Sequence, residues 1–213
     1  ESSFWKKSEV SMSFFENTRR PEGFGGKVMV WMMNFGHRAL AQWGMKQTAL
    51  AKDAEILDCG CGGGANIAAL LRRCPEGKVF GIDYSPVSVE KTRRVNRAAV
   101  EQGRCEIVCG SVAKLPFEDA RFDLVTAFET VYFWPNLTEC FGEVRRVLRQ
   151  GGTFLVCNES DGENKKDEKW TKIVGGMTIY DGGALKAALE KAGFRDVKIA
   201  KNEKGWLCAT ARK

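Results

Sequence analysis

The chain has 213 residues, 44% of them hydrophobic and 28% charged, with a net charge of +6. That is enough for one α/β domain with a sizeable core, and no apolar run approaches the roughly 20 residues of a membrane-spanning helix. The opening ESSFWKKSEVSMSFF lacks the apolar core and small-residue cleavage site of a secretory signal, so the expected compartment is cytoplasmic. The basic excess is mild. Its clusters at residues 91–97 (KTRRVNR), 145–149 (RRVLR) and 165–166 (KK) read as solvated helix faces, since a nucleic-acid stripe needs more charge and interleaved aromatics.

From residue 54 onward, short β-branched runs alternate with helical patterns. EILDC (55–59) is the first strand, followed by a helix over about 65–73 with Ile67, Leu70 and Leu71 on one face. KVFGID (78–83) is the second strand. Ser85-Pro86 supplies an N-cap and a proline at the first helical position, predicting one helix that runs to Gln102 and stops at Gly103. CEIVC (105–109) and FDLVTAF (122–128) are the third and fourth strands. Pro135-Asn136 breaks the chain before a helix carrying Phe141, Val144 and Leu148, expected to end at Gly151-Gly152. TFLVC (153–157) is the fifth strand, and Leu185, Ala188, Leu189 and Ala192 mark a further helix. RDVKIA (195–200) and WLCATA (206–211), joined by KNEKG, read as a terminal hairpin. The expected fold is therefore α/β: a doubly wound, Rossmann-like, mostly parallel seven-stranded sheet with an antiparallel C-terminal hairpin strand. Residues 1–50 are expected to form an N-terminal helical cap before a domain spanning 51–213. That cap and the polar stretch SDGENKKDEKW (160–170) are expected over the carboxyl ends of the strands.

The stretch LDCGCGGGAN (57–66) poses a choice between a thiol site and a ligand-cradling glycine loop. The eight cysteines show no paired knuckles, and the only histidine is His37, so no metal site is expected. Cys105, Cys109 and Cys157 fall within strand-like runs, where a reduced thiol packs as a small apolar group. The glycines follow a strand and open a helix. Gly60 permits the turn, Gly62 removes a side chain where a ligand approaches, and Gly64 lets helix and sheet pack closely. The free N–H groups of the helix start suit an anionic ligand group. The spacing also reads as the dinucleotide fingerprint G-x-G-x-x-A, but Asp58, two residues before the first glycine, repels a pyrophosphate and attracts an ammonium group. Asp83 ends the next strand, where a carboxylate can accept from two vicinal ribose hydroxyls. A ribonucleoside joined to an amino acid fits both acids, and S-adenosylmethionine is such a molecule.

The ordered motifs DCGCGGGA, GIDYSP, CGSVAKLPFEDARFDLV and EVRRVLRQGGTFLV resemble those of class I S-adenosylmethionine-dependent methyltransferases, nearest to the small-molecule group of ubiquinone and menaquinone methylases. The resemblance covers about residues 54–210. It implies that Asp58, Gly60 and Gly62 line the methionine half, with Cys61 in the same cofactor-binding loop, and that Cys59 and Cys61 fill space. It further implies that Asp83 takes the ribose and that Tyr84 lies along the adenine. Ser111 and Val112 stand where the family often has an aspartate followed by a small residue at the adenine amine. Glu129, ending the fourth strand, would sit beside the sulfonium and the substrate entrance.

Methyl transfer needs alignment and dehydration, and a base only where the acceptor must lose a proton. The candidate bases are Glu129, His37 and Tyr132. His37 lies in a Met- and Trp-rich stretch (25–45) that reads equally as a cap over the site or as a helix packed on the core. With Tyr132, Phe133 and Trp134 after the fourth strand, it suggests a small lipophilic or aromatic acceptor. Competing readings are an RNA or protein methyltransferase, a metalloid methylase, a nicotinamide-dependent oxidoreductase and a non-catalytic cofactor-binding module. Neither the acceptor nor the oligomeric state follows from the sequence.

Overall fold

The computed structural model describes residues 38–163, 171 and 176–213. His37 and most of the expected cap, residues 1–37, lie outside the described residues, as do 164–170 of the polar stretch. The described chain begins with α1 (Arg38–Met45). It continues with β1 (Glu55–Cys59), α2 (Ala65–Arg73), β2 (Lys78–Asp83), α3 (Pro86–Val95), α4 (Arg97–Glu101) and β3 (Cys105–Cys109). β4 (Phe122–Phe128), a 3₁₀ turn (Val131–Phe133), α5 (Leu137–Val147) and β5 (Leu148–Asn158) come next. α6 (Gly182–Lys191), β6 (Arg195–Lys201) and β7 (Leu207–Arg212) complete it.

The seven strands form one sheet in the order β3-β2-β1-β4-β5-β7-β6. β1 to β5 pair in parallel, and β7 runs antiparallel to both β5 and β6. The expected architecture is the observed one. Strand residues alternate between two apolar layers. One layer holds Leu57, Phe122, Phe154 and Val156 with Phe141 and Val144 of α5 and Leu185 and Leu189 of α6. The other holds Ile56, Leu124, Leu155 and Cys157 with Leu40 of α1, Ile67 and Leu70 of α2 and Val89 of α3. The strand order reverses between β1 and β4, the place where open α/β sheets leave a crevice beyond the carboxyl ends.

Three expectations are corrected. The helix predicted over residues 86–102 is two helices, because at Asn96 the backbone leaves the helical region (φ −108°, ψ 23°) and its side-chain amide donates to the carbonyls of Gly64 and Thr92. α5 ends at Val147, not at the Gly151-Gly152 pair. Leu148 pairs with Phe122 at the start of β4, and the glycines form an irregularity within β5, with Gly151 at φ +75°. Two arginines of RRVLR are half-buried structural clamps, while Arg149 is exposed as expected. Arg146 donates to the carbonyls of Phe117 and Leu115 and to Asp119 and Glu143, Arg145 donates to the Gly193 carbonyl, and Arg149 Nη1 donates to both oxygens of Asp123.

Candidate functional site

The glycine loop sits at the switch point between β1 and β4, and all three expected glycines adopt left-handed backbone. Gly60 (φ +79°) lies against Thr130, where a Cβ would stand 2.3 Å from Cγ2, so this position closes the β1 turn onto the end of β4. At Gly62 (φ +51°) a Cβ would meet only the Gly60 carbonyl, at 3.9 Å, which leaves the open face a ligand needs. At Gly64 (φ +83°) a Cβ would stand 2.9 Å from the Thr92 Cα, so α2 and α3 approach here as no other residue allows. No side chain caps the first turn of α2, and its N–H dipoles point toward the crevice end.

The loop is tied down from two directions. The amides of Gly60 and Cys61 both donate to the Ile82 carbonyl, at 2.8 and 3.2 Å. The Thr92 hydroxyl donates to the Gly62 carbonyl at 2.7 Å, and the Asn96 amide to the Gly64 carbonyl at 3.1 Å. Thr92 on α3 and Asn96 at its C-cap are buried polar residues that sequence reasoning passed over as part of a basic helix. Their i, i+4 spacing opposite the glycines was the available signal.

Asp58 is buried in the layer shared with Ile56, 1% exposed. Its Oδ1 accepts from the Thr126 hydroxyl at 2.7 Å, while Oδ2 has no partner among the described residues. Burial pushes this carboxyl up to about 7, with Asp83 adding to the rise and the Thr126 hydrogen bond opposing it. A buried carboxylate oxygen left open beside a glycine loop is where a ligand ammonium would fit. Asp83 is also buried, and both of its oxygens are engaged: Oδ2 accepts from the Gly62 amide and Oδ1 from the Ser85 amide, each at 2.9 Å. Burial raises it, and these two hydrogen bonds pull it back. Asp83 therefore builds the loop as well as facing the crevice, and a ribose would meet its remaining lone pairs.

Cys61 turns its thiol beneath the loop into the apolar layer with Val79 and Ile107, close to Gly81, so only its backbone faces the crevice side. Cys59 packs in the opposite layer. All eight cysteines are free thiols, and only Cys109 is exposed. Tyr84 stands exposed directly after β2. Ser111 and Val112 follow β3, the strand beside β2, and the Ser111 hydroxyl accepts from the Ala113 amide in a local turn.

On the other side of the crevice Glu129 ends β4 in left-handed backbone (φ +60°), a strained position for a non-glycine residue. Its backbone amide donates to the Cys157 carbonyl at 3.0 Å. Its Oε1 accepts from the Tyr132 hydroxyl at 3.3 Å and from the backbone amide of Glu159. Tyr132 in turn accepts from the Ser160 amide at 3.3 Å, and its carbonyl holds the Thr178 amide at 2.9 Å. Burial, with Glu129 nearby, pushes the phenol well above its usual range, so Tyr132 keeps its proton and donates it to Glu129. Its hydroxyl and the Glu129 carboxylate thus form one hydrogen-bonded pair. The structure brings Asp58, the three glycines and Asp83 together at one wall, and Glu129 with Tyr132 at the other.

The open oxygen of Asp58, the uncapped α2 start, the bare face of Gly62 and Asp83 fit S-adenosylmethionine, the cofactor of the family the motifs resemble. A family model described as a methyltransferase domain matches residues 57–156. The chain is 30% identical over 153 residues to 24-methylenesterol C-methyltransferase 2 of Arabidopsis thaliana, covering 68% of this chain and 42% of that protein. It is 32% identical over 181 residues to the sterol 4-C-methyltransferase of Caenorhabditis elegans, covering 80% and 52%. The chain thus spans about half or less of the length of these curated relatives. A crystal structure of a SAM-dependent methyltransferase from Aquifex aeolicus has the same fold, with a TM-score of 0.72 at 19% identity over 85% of this chain and 95% of that one. With its fold, its glycine loop and its pair of strand-end acids, the chain belongs to the class I S-adenosylmethionine-dependent methyltransferases.

Proposed function

We propose that this chain transfers a methyl group from S-adenosylmethionine to a small, uncharged acceptor of lipophilic or aromatic character, with sterols as the leading class. The observation that carries this reading is the Glu129–Tyr132 pair: a carboxylate hydrogen-bonded to a buried phenol, set in a strained turn with Phe133 against the phenol ring. Likeness to two sterol methyltransferases supports the apolar class.

In this reading Asp58 binds the cofactor's ammonium through Oδ2, the start of α2 receives its carboxylate, and Asp83 takes the ribose hydroxyls. When bound, the cofactor supplies a methyl group on a sulfonium, which leaves as a neutral thioether. Glu129 accepts the proton that the acceptor gives up, and Tyr132 fixes the carboxylate for it. His37, outside the described residues, is the remaining base named from the sequence. Tyr132 and Phe133, in edge contact with ring centroids 6.2 Å apart, shield the Glu129 carboxylate from water, while Trp134 packs in the core on Phe141 and Phe154. Ser111, Val112 and Tyr84 border the adenine end beyond β2 and β3.

The test is incubation of the full chain with methyl-labelled S-adenosylmethionine and a panel of 3-hydroxysterols, 3-ketosterols and phenols, alongside bulk RNA and a protein extract. Label in the solvent-extractable fraction is the expected outcome. Label confined to RNA or protein overturns the acceptor class, and tight S-adenosylhomocysteine binding with no transfer to any of them makes the chain a cofactor-binding module.

A further inference from the structure

β5 ends in a side chain that its own pattern does not explain. Along this strand Leu155 and Cys157 enter one apolar layer while Phe154 and Val156 enter the other. Asn158 continues the second series and lies opposite Leu207 of β7, itself in that layer. A leucine or valine would complete the row. Instead the carboxamide is 0% exposed, and neither Oδ1 nor Nδ2 has a hydrogen-bond partner among the described residues. The buried Ser160 hydroxyl, two residues on, likewise has no partner among them. A buried amide with two donors and an acceptor all unmet costs more than any apolar residue of its size and returns nothing to the fold.

The cost falls at a particular place. Asn158 lies between Cys157, whose carbonyl holds the Glu129 amide, and Glu159, whose amide donates to the Glu129 carboxylate. Ser160 donates its amide to the Tyr132 hydroxyl. The 158–160 segment is therefore wrapped around the pair read as the acceptor side of the site, and it presents two neutral groups that both donate and accept.

We propose that Asn158, with Ser160, binds an uncharged oxygen of the methyl acceptor, a hydroxyl or a carbonyl, next to the atom that receives the methyl. This deepens the acceptor reading above and rests on it. A hydroxyl matches both groups, since it can donate to the Asn158 Oδ1 and accept from Nδ2 or from Ser160. The adjacent Glu129 carboxylate disfavours an anionic headgroup in the same space. The methyl then goes to that oxygen or to an atom bonded close to it, and an acceptor whose only oxygen lies a ring system away from the reacting atom would not use this pair.

The experiment measures binding, so it does not depend on turnover. 2-Naphthol and naphthalene, differing by one hydroxyl, are titrated against the full chain loaded with S-adenosylhomocysteine. The wild type is expected to hold the naphthol at least tenfold more tightly, a modest value for a site built to pair a hydroxyl. Asn158→Leu brings that ratio near one, leaves S-adenosylhomocysteine affinity within twofold, and raises Tm by about 2–5 °C as the unpaired amide is removed. Asn158→Ser, too short to reach, loses the same preference and guards against a failure of the leucine variant to fold. The proposal is overturned by an absent preference in the wild type, by a preference that both variants retain, or by a variant that loses Tm and cofactor binding together, which would make Asn158 structural. Transfer to the phenols but not to the sterols, with the naphthol preference intact, would count against the sterol class alone, whereas no transfer to any acceptor would overturn the proposed activity and leave the naphthol preference as a binding property.

Discussion

The two walls of the crevice are built on opposite plans. On the glycine-loop side most polar side chains are already paired: Asp83 with the Gly62 and Ser85 amides, and Thr92 and Asn96 with the Gly62 and Gly64 carbonyls, so that among the described residues Asp58 Oδ2 is the unpaired side-chain atom beside the uncapped start of α2. On the β4–β5 side the pairing stops short, with the Asn158 carboxamide and the Ser160 hydroxyl buried and without partners among the described residues, next to a strained Glu129. A wall that meets one unvarying cofactor can be finished before the ligand arrives. A wall that selects among acceptors, as we propose for this one, keeps its hydrogen bonds for them, at some cost in stability. This difference separates what all such enzymes share from what distinguishes one.

Gly64→Ala strikes the finished wall hardest. Its Cβ meets α3 backbone in a left-handed conformation, so we expect a loss of about 2–4 kcal/mol of stability, seen as a fall in Tm, with cofactor binding impaired in what still folds. Asp83→Ala removes the acceptor of two loop amides as well as the ribose contact. S-adenosylhomocysteine affinity should fall by about 1–3 kcal/mol, read by calorimetry, and unchanged affinity would remove Asp83 from the site.

The smallest expected effect is a pH dependence at the one open atom. Asp58 holds its proton more firmly folded, near 7, than its ordinary 3.8. Its contribution to stability is therefore fully present below pH 3.8 and is lost as pH rises toward 7, flattening above. An ammonium group favours the carboxylate, so S-adenosylhomocysteine should release a proton on binding and gain roughly threefold to tenfold in affinity between about pH 6 and 7.5. Titrations in two buffers of different ionisation enthalpy detect that proton. Asp58→Asn should abolish it.

The legibility of the sequence follows the same division. The strands, the three glycines and the two strand-end acids were readable because each rests on local rules: β-branched runs, φ > 0, and acids at the ends of adjacent parallel strands. The thiols of Cys59 and Cys61 were rightly read as filling. The break at Asn96 was hidden because the side chain answers to a carbonyl 32 residues away, a partner no periodicity reveals. Leu148 carried a helical spacing but was claimed by Phe122 of β4. Arg146 looked solvated because the carbonyls of Leu115 and Phe117 that it holds lie in a distant loop. Asn158 was passed over since its meaning depends on an absence of partners that only the packed fold makes visible.

The place of β7 sets a schedule for the molecule. Among the described residues it is the last strand in sequence order, yet it is inserted between β5 and β6 and links them. Until residues 207–212 emerge during synthesis, β5 presents a bare, strongly apolar edge, and β6 has no strand to join. The parallel strands can assemble beforehand, but the end of β5, with Asn158, is braced only when the chain returns. Nascent chains halted before Leu207 are the ones that would need a chaperone.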